Sequence, residues 1–199
     1  MKKLSIKFYE SADVVQVAKD LVGKIVVTQI DGKKTSGRIV ETEAYVAFTD
    51  KASHAYKGRR TTRNEHMYAT AGTAYVYICY GMHQMLNVVT NKKEIPDAVL
   101  IRAIEPMEGI CVMLTRTGKT KLDNTLTKGP GNVAKALGIF KLHSGLHLRC
   151  NQIYLAEDKY SIYMPGQIAE SKRIGVDSAG ADALLPYRFY LKGNPHVSR

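Results

Sequence analysis

Residues 37–45 read Gly-Arg-Ile-Val-Glu-Thr-Glu-Ala-Tyr. Their character alternates with a period of two, the signature of a β-strand and not of a helix. Val40, Thr42, Ala44 and Val46 fall on one side and are small enough to pack into a core, while Glu41, Glu43 and Tyr45 fall on the other. A strand with two carboxylates and an aromatic ring on one face either builds a site or lies at a solvated sheet surface. Just upstream, residues 24–30, Lys-Ile-Val-Val-Thr-Gln-Ile, form a second strand, and Asp31-Gly32 between them is a hairpin turn signal. The fold therefore grows from an antiparallel hairpin that pairs the carboxylate strand with a β-branched neighbour.

Before this hairpin, Ser11 is the predicted N-cap of a helix carrying Val14, Val15, Ala18, Leu21 and Val22, closed by Gly23. After it, residues 49–72 show no periodicity and hold several cations, so they read as a basic loop with at most a short helical turn. Residues 73–80, Thr-Ala-Tyr-Val-Tyr-Ile-Cys-Tyr, are a strand by their β-branched and aromatic content. Gly81 permits a sharp turn, and strands are expected at 86–90 and 98–104. Pro106 suits the first turn of a helix running to about Leu114. Gly129-Pro130-Gly131-Asn132 leads into a short helix ending at Gly138, and short strands follow near 152–155 and 187–191. Repeats, low-complexity tracts and linkers are absent. The prediction is one α+β domain over residues 1–199, a mostly antiparallel curved sheet with flanking helices and a protruding β-hairpin.

The chain has 199 residues, enough for a sizeable core, and 45% of them are hydrophobic. No apolar run is long enough to span a bilayer. Residues Met1–Lys7 are basic with no apolar run behind them, so no secretory signal is expected. Lys and Arg total 29 against 18 Asp and Glu, a formal net charge of +11. That excess, without lipid-anchor or amphipathic-helix signals, favours a nucleic-acid partner over a membrane. Cys79, Cys111 and Cys150 are scattered and odd in number, which suits reduced, packed thiols and no zinc site.

Among aromatic neighbours Glu43 would be pushed up in pKa, which suits a general base acting on water. Glu41, two residues away on the same face, is its competitor. Tyr75 and Tyr77 share a strand face, and cross-strand packing explains Tyr75. Tyr80 lies beside the turn at Gly81, where an exposed ring can stack on an unpaired base or push between base pairs. The basic loop supplies Arg59, Arg60 and Arg63 beside that hairpin. Lys128, Gly129 and Gly131 precede a helix start that could hold a phosphate, a weak signal by itself.

Taken together these residues resemble the alkyladenine DNA glycosylase family, the 3-methyladenine DNA glycosylases of the methylpurine type. The likeness runs from Gly37 to Ile139 and resumes at Lys172–Val176 and Pro186–Ser198. Gly37–Tyr45 looks like the family's catalytic strand, and Ala52-Ser53-His54, Thr62-Arg63-Asn64, Tyr75–Met82 and Leu100-Ile101-Arg102-Ala103 follow in the right order. The resemblance implies that Glu43 activates water and that Arg102 helps hold it. It implies that Tyr45, His54 and Tyr77 sandwich an extruded base, that Asn87 screens purines by their exocyclic groups, and that Tyr80 is the intercalating wedge. Val176 would offer a backbone carbonyl near the water. The segment from Thr90 to Asp97 is slightly longer than the family pattern, so Arg102 is placed by its Leu-x-Arg-Ala context.

The implied activity is removal of alkylated or deaminated purines from duplex DNA by a monofunctional glycosylase, with no metal or organic cofactor. The expected protein is a bacterial, cytoplasmic, nucleoid-associated monomer that binds damaged double-stranded DNA and no membrane. A zinc deaminase is excluded, because His-x-Glu and Pro-Cys-x-x-Cys are missing. Three rivals stand beside this reading: a largely helical helix-hairpin-helix glycosylase suggested by Lys128–Gly131, a non-enzymatic nucleic-acid binding module, and a relative turned to RNA.

Overall fold

A computed structural model describes residues 1–161 and 166–198. In chain order the strands and α-helices are β1 (Lys2–Lys3), α1 (Ile6–Tyr9), α2 (Val14–Leu21), β2 (Ile25–Ile30), β3 (Lys33–Tyr45), β4 (Ala74–Cys79), β5 (His83–Thr90), β6 (Asp97–Glu108), α3 (Ile110–Thr117), α4 (Pro130–Leu137), β7 (Ile153–Glu157), β8 (Ile168–Ser171) and β9 (Arg188–Leu191). The strands form one sheet in the order β1-β7-β2-β3-β6-β5-β4, and β9, which also pairs β8, joins it at β3. Every pairing is antiparallel. The α+β class expected from the sequence is the class observed.

The opening hairpin forms as its turn chemistry demands. Asp31 and Gly32 both take positive φ, 53° and 69°, and Ile30 pairs with Lys33. Strand β3 begins at Lys33, four residues earlier than expected, because β2 carries its polar Lys-Lys-Thr-Ser start in register. Its first half pairs β2, its second half pairs β9, and β6 runs along the opposite edge.

Two irregularities along β3 and β6 cancel each other. Ile39 faces Ile104 and Glu41 faces Ala103, so Val40 is an extra residue in β3. Then Glu41 faces Ala103 while Thr42 faces Ile101, so Arg102 is an extra residue in β6. A bulge re-aims the side chain it carries. This one places Arg102 beside the two glutamates.

One face of the sheet holds the main core. Val14, Val17, Ala18 and Leu21 of α2 are buried against it, as are Val133, Ala134 and Leu137 of α4. Each fully buried Val or Leu contributes about 1.5–3 kcal/mol. Thr42 points to this side, and its hydroxyl donates to the carbonyl of Ala18 at 2.7 Å. The odd-numbered neighbours Glu41 and Glu43 therefore point to the other face, as the alternation predicted.

Two expectations are corrected. The N-cap of α2 is Asp13, whose carboxylate accepts the Gln16 N–H at 2.9 Å, and not Ser11. Pro106 does not start a helix: β6 continues through it to Glu108, and α3 begins after Gly109. Pro106 pairs with Gly37 where the β3–β6 register shifts, a place where a missing N–H disturbs no regular ladder. Helix α4 ends at Gly138 as read from sequence, with φ 73° and the Ile139 N–H closing back on Ala134 O at 2.8 Å.

Candidate active site

The sheet itself lays out the site. Residues opposite each other on neighbouring strands point to the same side. Glu43 faces Leu100, Leu100 faces Asn87, and Asn87 faces Tyr75, so one row crosses β3, β6, β5 and β4. Tyr77 and Met85 face each other in the next row on the same side. Except for Glu43, these residues line a cavity of about 670 Å³, joined by Tyr45, His54, Arg102, Ile174 and Val176. That volume suits a small-molecule or nucleobase site.

Glu43 lies one layer behind the cavity wall and is fully buried. Its carboxylate accepts the Ile174 N–H at 2.8 Å and the Tyr45 hydroxyl at 2.9 Å. Arg102 donates to it at 3.3 Å, the longest of these bonds. All three donors line the cavity. Burial raises the Glu43 pKa above the ordinary carboxylate value; the charge of Arg102 and the bonds from Ile174 and Tyr45 oppose this without cancelling it. The Tyr45 hydroxyl is pushed well above its usual value by burial and by the Glu43 charge, so it stays protonated as a donor.

An aromatic wall faces this carboxylate. Tyr75 and Tyr77 stack at 5.5 Å between centroids, and His54 meets Tyr77 edge to face at 4.6 Å. Those last two rings touch, so no purine fits between them as they stand. The Tyr75 hydroxyl bonds the His54 Nδ1 at 2.9 Å. Burial, with the charges of Arg63 and Arg59, lowers the His54 pKa to about 4. The imidazole is thus neutral at physiological pH and does not repel a cation. Asn87 spends its amide N–H groups on the carbonyls of Tyr75 and Met85, both at 3.2 Å, leaving only its carbonyl oxygen to accept.

The β4–β5 hairpin ends in a turn where Tyr80 and Gly81 take φ of 49° and 72°. Tyr80 is 87% exposed and Met82 71%, so two large apolar side chains stand at the tip in solvent. Arg59 and Arg63 are at the cavity rim, with Arg63 over the Tyr77 ring at 5.4 Å. Arg60 is placed differently: Glu65 and Glu94 bind its guanidinium, which also lies 4.5 Å from the Tyr68 ring. Gly129 caps α4, and Lys128 bridges to Ala103 of β6. Gly131 packs against His83 at the start of β5, and Pro130 reaches the cavity.

Sequence reasoning missed several residues. In the loop after β8, Arg173 forms a buried fork with Asp50, donating to both carboxylate oxygens, and to the carbonyls of Ala44 and Asp182 at 2.9 and 3.0 Å. Its guanidinium lies 4.8 Å from the Tyr45 ring and 5.4 Å from that of Tyr187. This anchor sets the Ile174 N–H on Glu43. The loop therefore reaches the carboxylate through Ile174, while Val176 lines the cavity. Arg188 of β9, bonded to Glu41 at 2.6 Å, was also missed. Partners separated by more than a hundred residues leave no local pattern. Among the described residues, no group of three or more His, Cys, Asp or Glu is placed to hold a metal ion, and no helix is long and apolar enough to cross a membrane.

An acidic site under aromatic walls, beside an exposed tyrosine and arginines, is the equipment of an enzyme that works on a nucleobase. Residues 7–195 match the family model for methylpurine-DNA glycosylase. The chain belongs to that family and is a DNA glycosylase of the 3-methyladenine type, a hydrolase of N-glycosyl bonds. It is 45% identical to a protein of Clostridium acetobutylicum provisionally named 3-methyladenine DNA glycosylase, covering 98% of this chain and 97% of that one. A Chlamydia felis protein with the same provisional name is 46% identical over 92% of this chain and 93% of its own length.

Proposed function

We propose that the chain extrudes alkylated or deaminated purines from duplex DNA and hydrolyses the N-glycosidic bond with water activated by Glu43. The substrate class is 3-methyladenine, 7-methylguanine, hypoxanthine and ethenoadenine. The observation that carries the reading is Glu43, buried in the sheet row that floors an aromatic cavity, with an exposed tyrosine at the adjoining hairpin tip.

A base within a duplex must leave the stack before its sugar bond can be reached. Tyr80 fills the gap left behind, and Arg59, Arg63, Lys128 and the α4 start hold phosphates. In the cavity the purine lies against Tyr77 and Tyr45, with neutral His54 and the Asn87 carbonyl beside it. A methylated purine is cationic, and π faces attract cations. Water replaces the long Arg102–Glu43 contact, gives a proton to Glu43, and its oxygen attacks C1′. The C1′–N bond breaks with its electron pair passing to the purine, which leaves neutral when it began as a cation; a neutral lesion takes a proton from solvent at a ring nitrogen as it leaves. The negative charge of Glu43 stabilises the oxocarbenium-like sugar at the transition state. Among the described residues no lysine is bonded to Glu43, and the lysine of the cavity lining, Lys51, has no catalytic role in this reading; the product is an abasic site in an intact strand, the opening step of base excision repair. The row is built by one chain, and the enzyme acts as a monomer on the bacterial nucleoid in the cytoplasm.

The test is single-turnover release of hypoxanthine or 3-methyladenine from a duplex oligonucleotide. Glu43→Gln should slow release by two to four decades, the usual range for loss of a general base, while lesion binding persists. Undiminished release would remove Glu43 from this role, and strand scission without added base would remove the monofunctional reading.

A further inference from the structure

Arg102 is contested. Its Nε donates to Glu41 at 3.3 Å and its Nη1 to Glu43 at 3.3 Å, so two buried carboxylates hold it at equal distance. Glu41 has zero exposure and is not part of the lining of the active-site cavity. Its own charge is answered from the far side by Arg188, whose Nε donates to it at 2.6 Å. Ser198 then completes the cluster through its backbone. Its N–H donates to Glu41 at 2.9 Å, and its carbonyl accepts from Arg188 at 2.7 Å.

Resting on the Glu43 base reading above, we propose that Glu41 and Arg188 are positioning residues that set how firmly Arg102 holds Glu43. Neither touches the cavity, so both act through another side chain. The charges alternate along the line Glu43, Arg102, Glu41, Arg188. Attraction between charges grows as their separation falls. With Arg188 close against Glu41, the pull of Glu41 on Arg102 is partly spent, and the guanidinium stays shared. Without Arg188, Glu41 draws Arg102 away from the base. Without the Glu41 charge, Arg102 belongs to Glu43 alone. The groups facing Glu43 are Arg102 from β6, Glu41 and Tyr45 from β3, Tyr77 from β4, and the Ile174 N–H with Arg173 from the loop after β8. Among the described residues, Glu41 with its partner Arg188 is the charged pair beside Arg102 and Glu43 that lies outside the cavity lining. The Glu41 charge also raises the Glu43 pKa directly, in the same sense as its pull on Arg102.

The experiment is the pH dependence of single-turnover release of N-methylpurines from methylated duplex DNA by the full chain, compared for Glu41→Gln, Arg188→Gln and the double variant. The acid limb reports ionisation of the base. In Glu41→Gln it should move to lower pH, and in Arg188→Gln to higher pH. The double variant should coincide with Glu41→Gln, because Arg188 acts only through the Glu41 carboxylate. KM should stay near the wild-type value throughout. Loss of folding stability alone lowers the amplitude of all profiles and shifts none of them in opposite directions. Limbs that do not move, or move the same way, overturn the proposal. Where Arg188→Gln fails to fold, the double variant still decides: a limb displaced from that of Glu41→Gln refutes action through Glu41. An inactive Glu43→Gln together with unmoved limbs sinks this inference alone, whereas a fully active Glu43→Gln sinks the base assignment on which it rests.

Discussion

The Arg173–Asp50 fork supports a strong stability prediction. Both side chains are essentially without exposure, at 0% and 1%. Asp50 holds more than the arginine: its oxygens also accept the N–H groups of Val46 and Ala52, at 3.3 and 2.9 Å. In Asp50→Asn the charge is gone and an amide N–H₂ meets a guanidinium donor. Arg173 would keep the carbonyls of Ala44 and Asp182 and two flanking rings, but no anion. Removing one partner of a buried ion pair costs roughly 3–5 kcal/mol, because the other charge remains desolvated. For a chain of this length each kcal/mol lowers Tm by about 2–4 °C, so a fall of roughly 6–20 °C is expected. Calorimetry or thermal circular dichroism reads it. The paired replacement Asp50→Leu with Arg173→Met should regain only the part due to the stranded charge, since it also takes the partners from the Val46 and Ala52 N–H groups and from the Ala44 and Asp182 carbonyls. Base release should fall in Asp50→Asn well below the unfolding temperature, because the Ile174 N–H loses its anchor. A change in stability below about 1 kcal/mol would place the fork among weak surface-like ion pairs and refute the reasoning.

Release by the wild type should fall as pH falls through the Glu43 pKa, at a midpoint above that of an ordinary glutamate, because the base must be ionised to take a proton; a pH–rate profile checks this. His54 titrates near 4 when folded against 6.5 when free, so the unfolded chain binds the extra proton between those values and stability drops as pH falls through that window. The loss is up to about 3 kcal/mol by linkage, and His54→Gln should flatten that part of the stability curve measured by urea titration. Tyr80→Ala should leave Tm unchanged yet weaken lesion-duplex binding by about 1–3 kcal/mol, the worth of one stacked base. Arg63→Ala should reduce the slope of log affinity against log salt by about one, whereas Arg60→Ala should change it little, because Glu65 and Glu94 already neutralise that guanidinium.

Local chemistry was legible in the sequence wherever neighbours in the chain decide the outcome. Asp31-Gly32 announced its turn, Gly138 its helix end, and the alternation in Gly37–Tyr45 the shared face of Glu41 and Glu43. Pro106 misled because its ring fits a first helical turn and a register shift equally well, and only the partner strand chooses. The polar start of β3 at Lys33–Ser36 was hidden because its pairing with β2, not its own pattern, makes it a strand. Strand β8, on the outer side of β9, carries no alternation strong enough to read. The gathering of Tyr45, His54, Tyr77, Asn87 and Arg102 around one cavity was expected from resemblance, and the register across β3, β6, β5 and β4 gives its physical cause. The Asp50 fork and the Arg188 contact had no such route, since each joins distant segments through single side chains.

The paired irregularities at Val40 and Arg102 make this stretch unforgiving of changes in length. Losing the codon for either residue alone would throw β3 and β6 out of phase and transpose the acidic and apolar sides of everything downstream. Losing both would restore phase, yet leave a flat ladder with no cation leaning toward the glutamates. Descendants of this gene can therefore exchange the core-facing side chains here for others of similar size, while the spacing from Ile39 to Tyr45 stays locked.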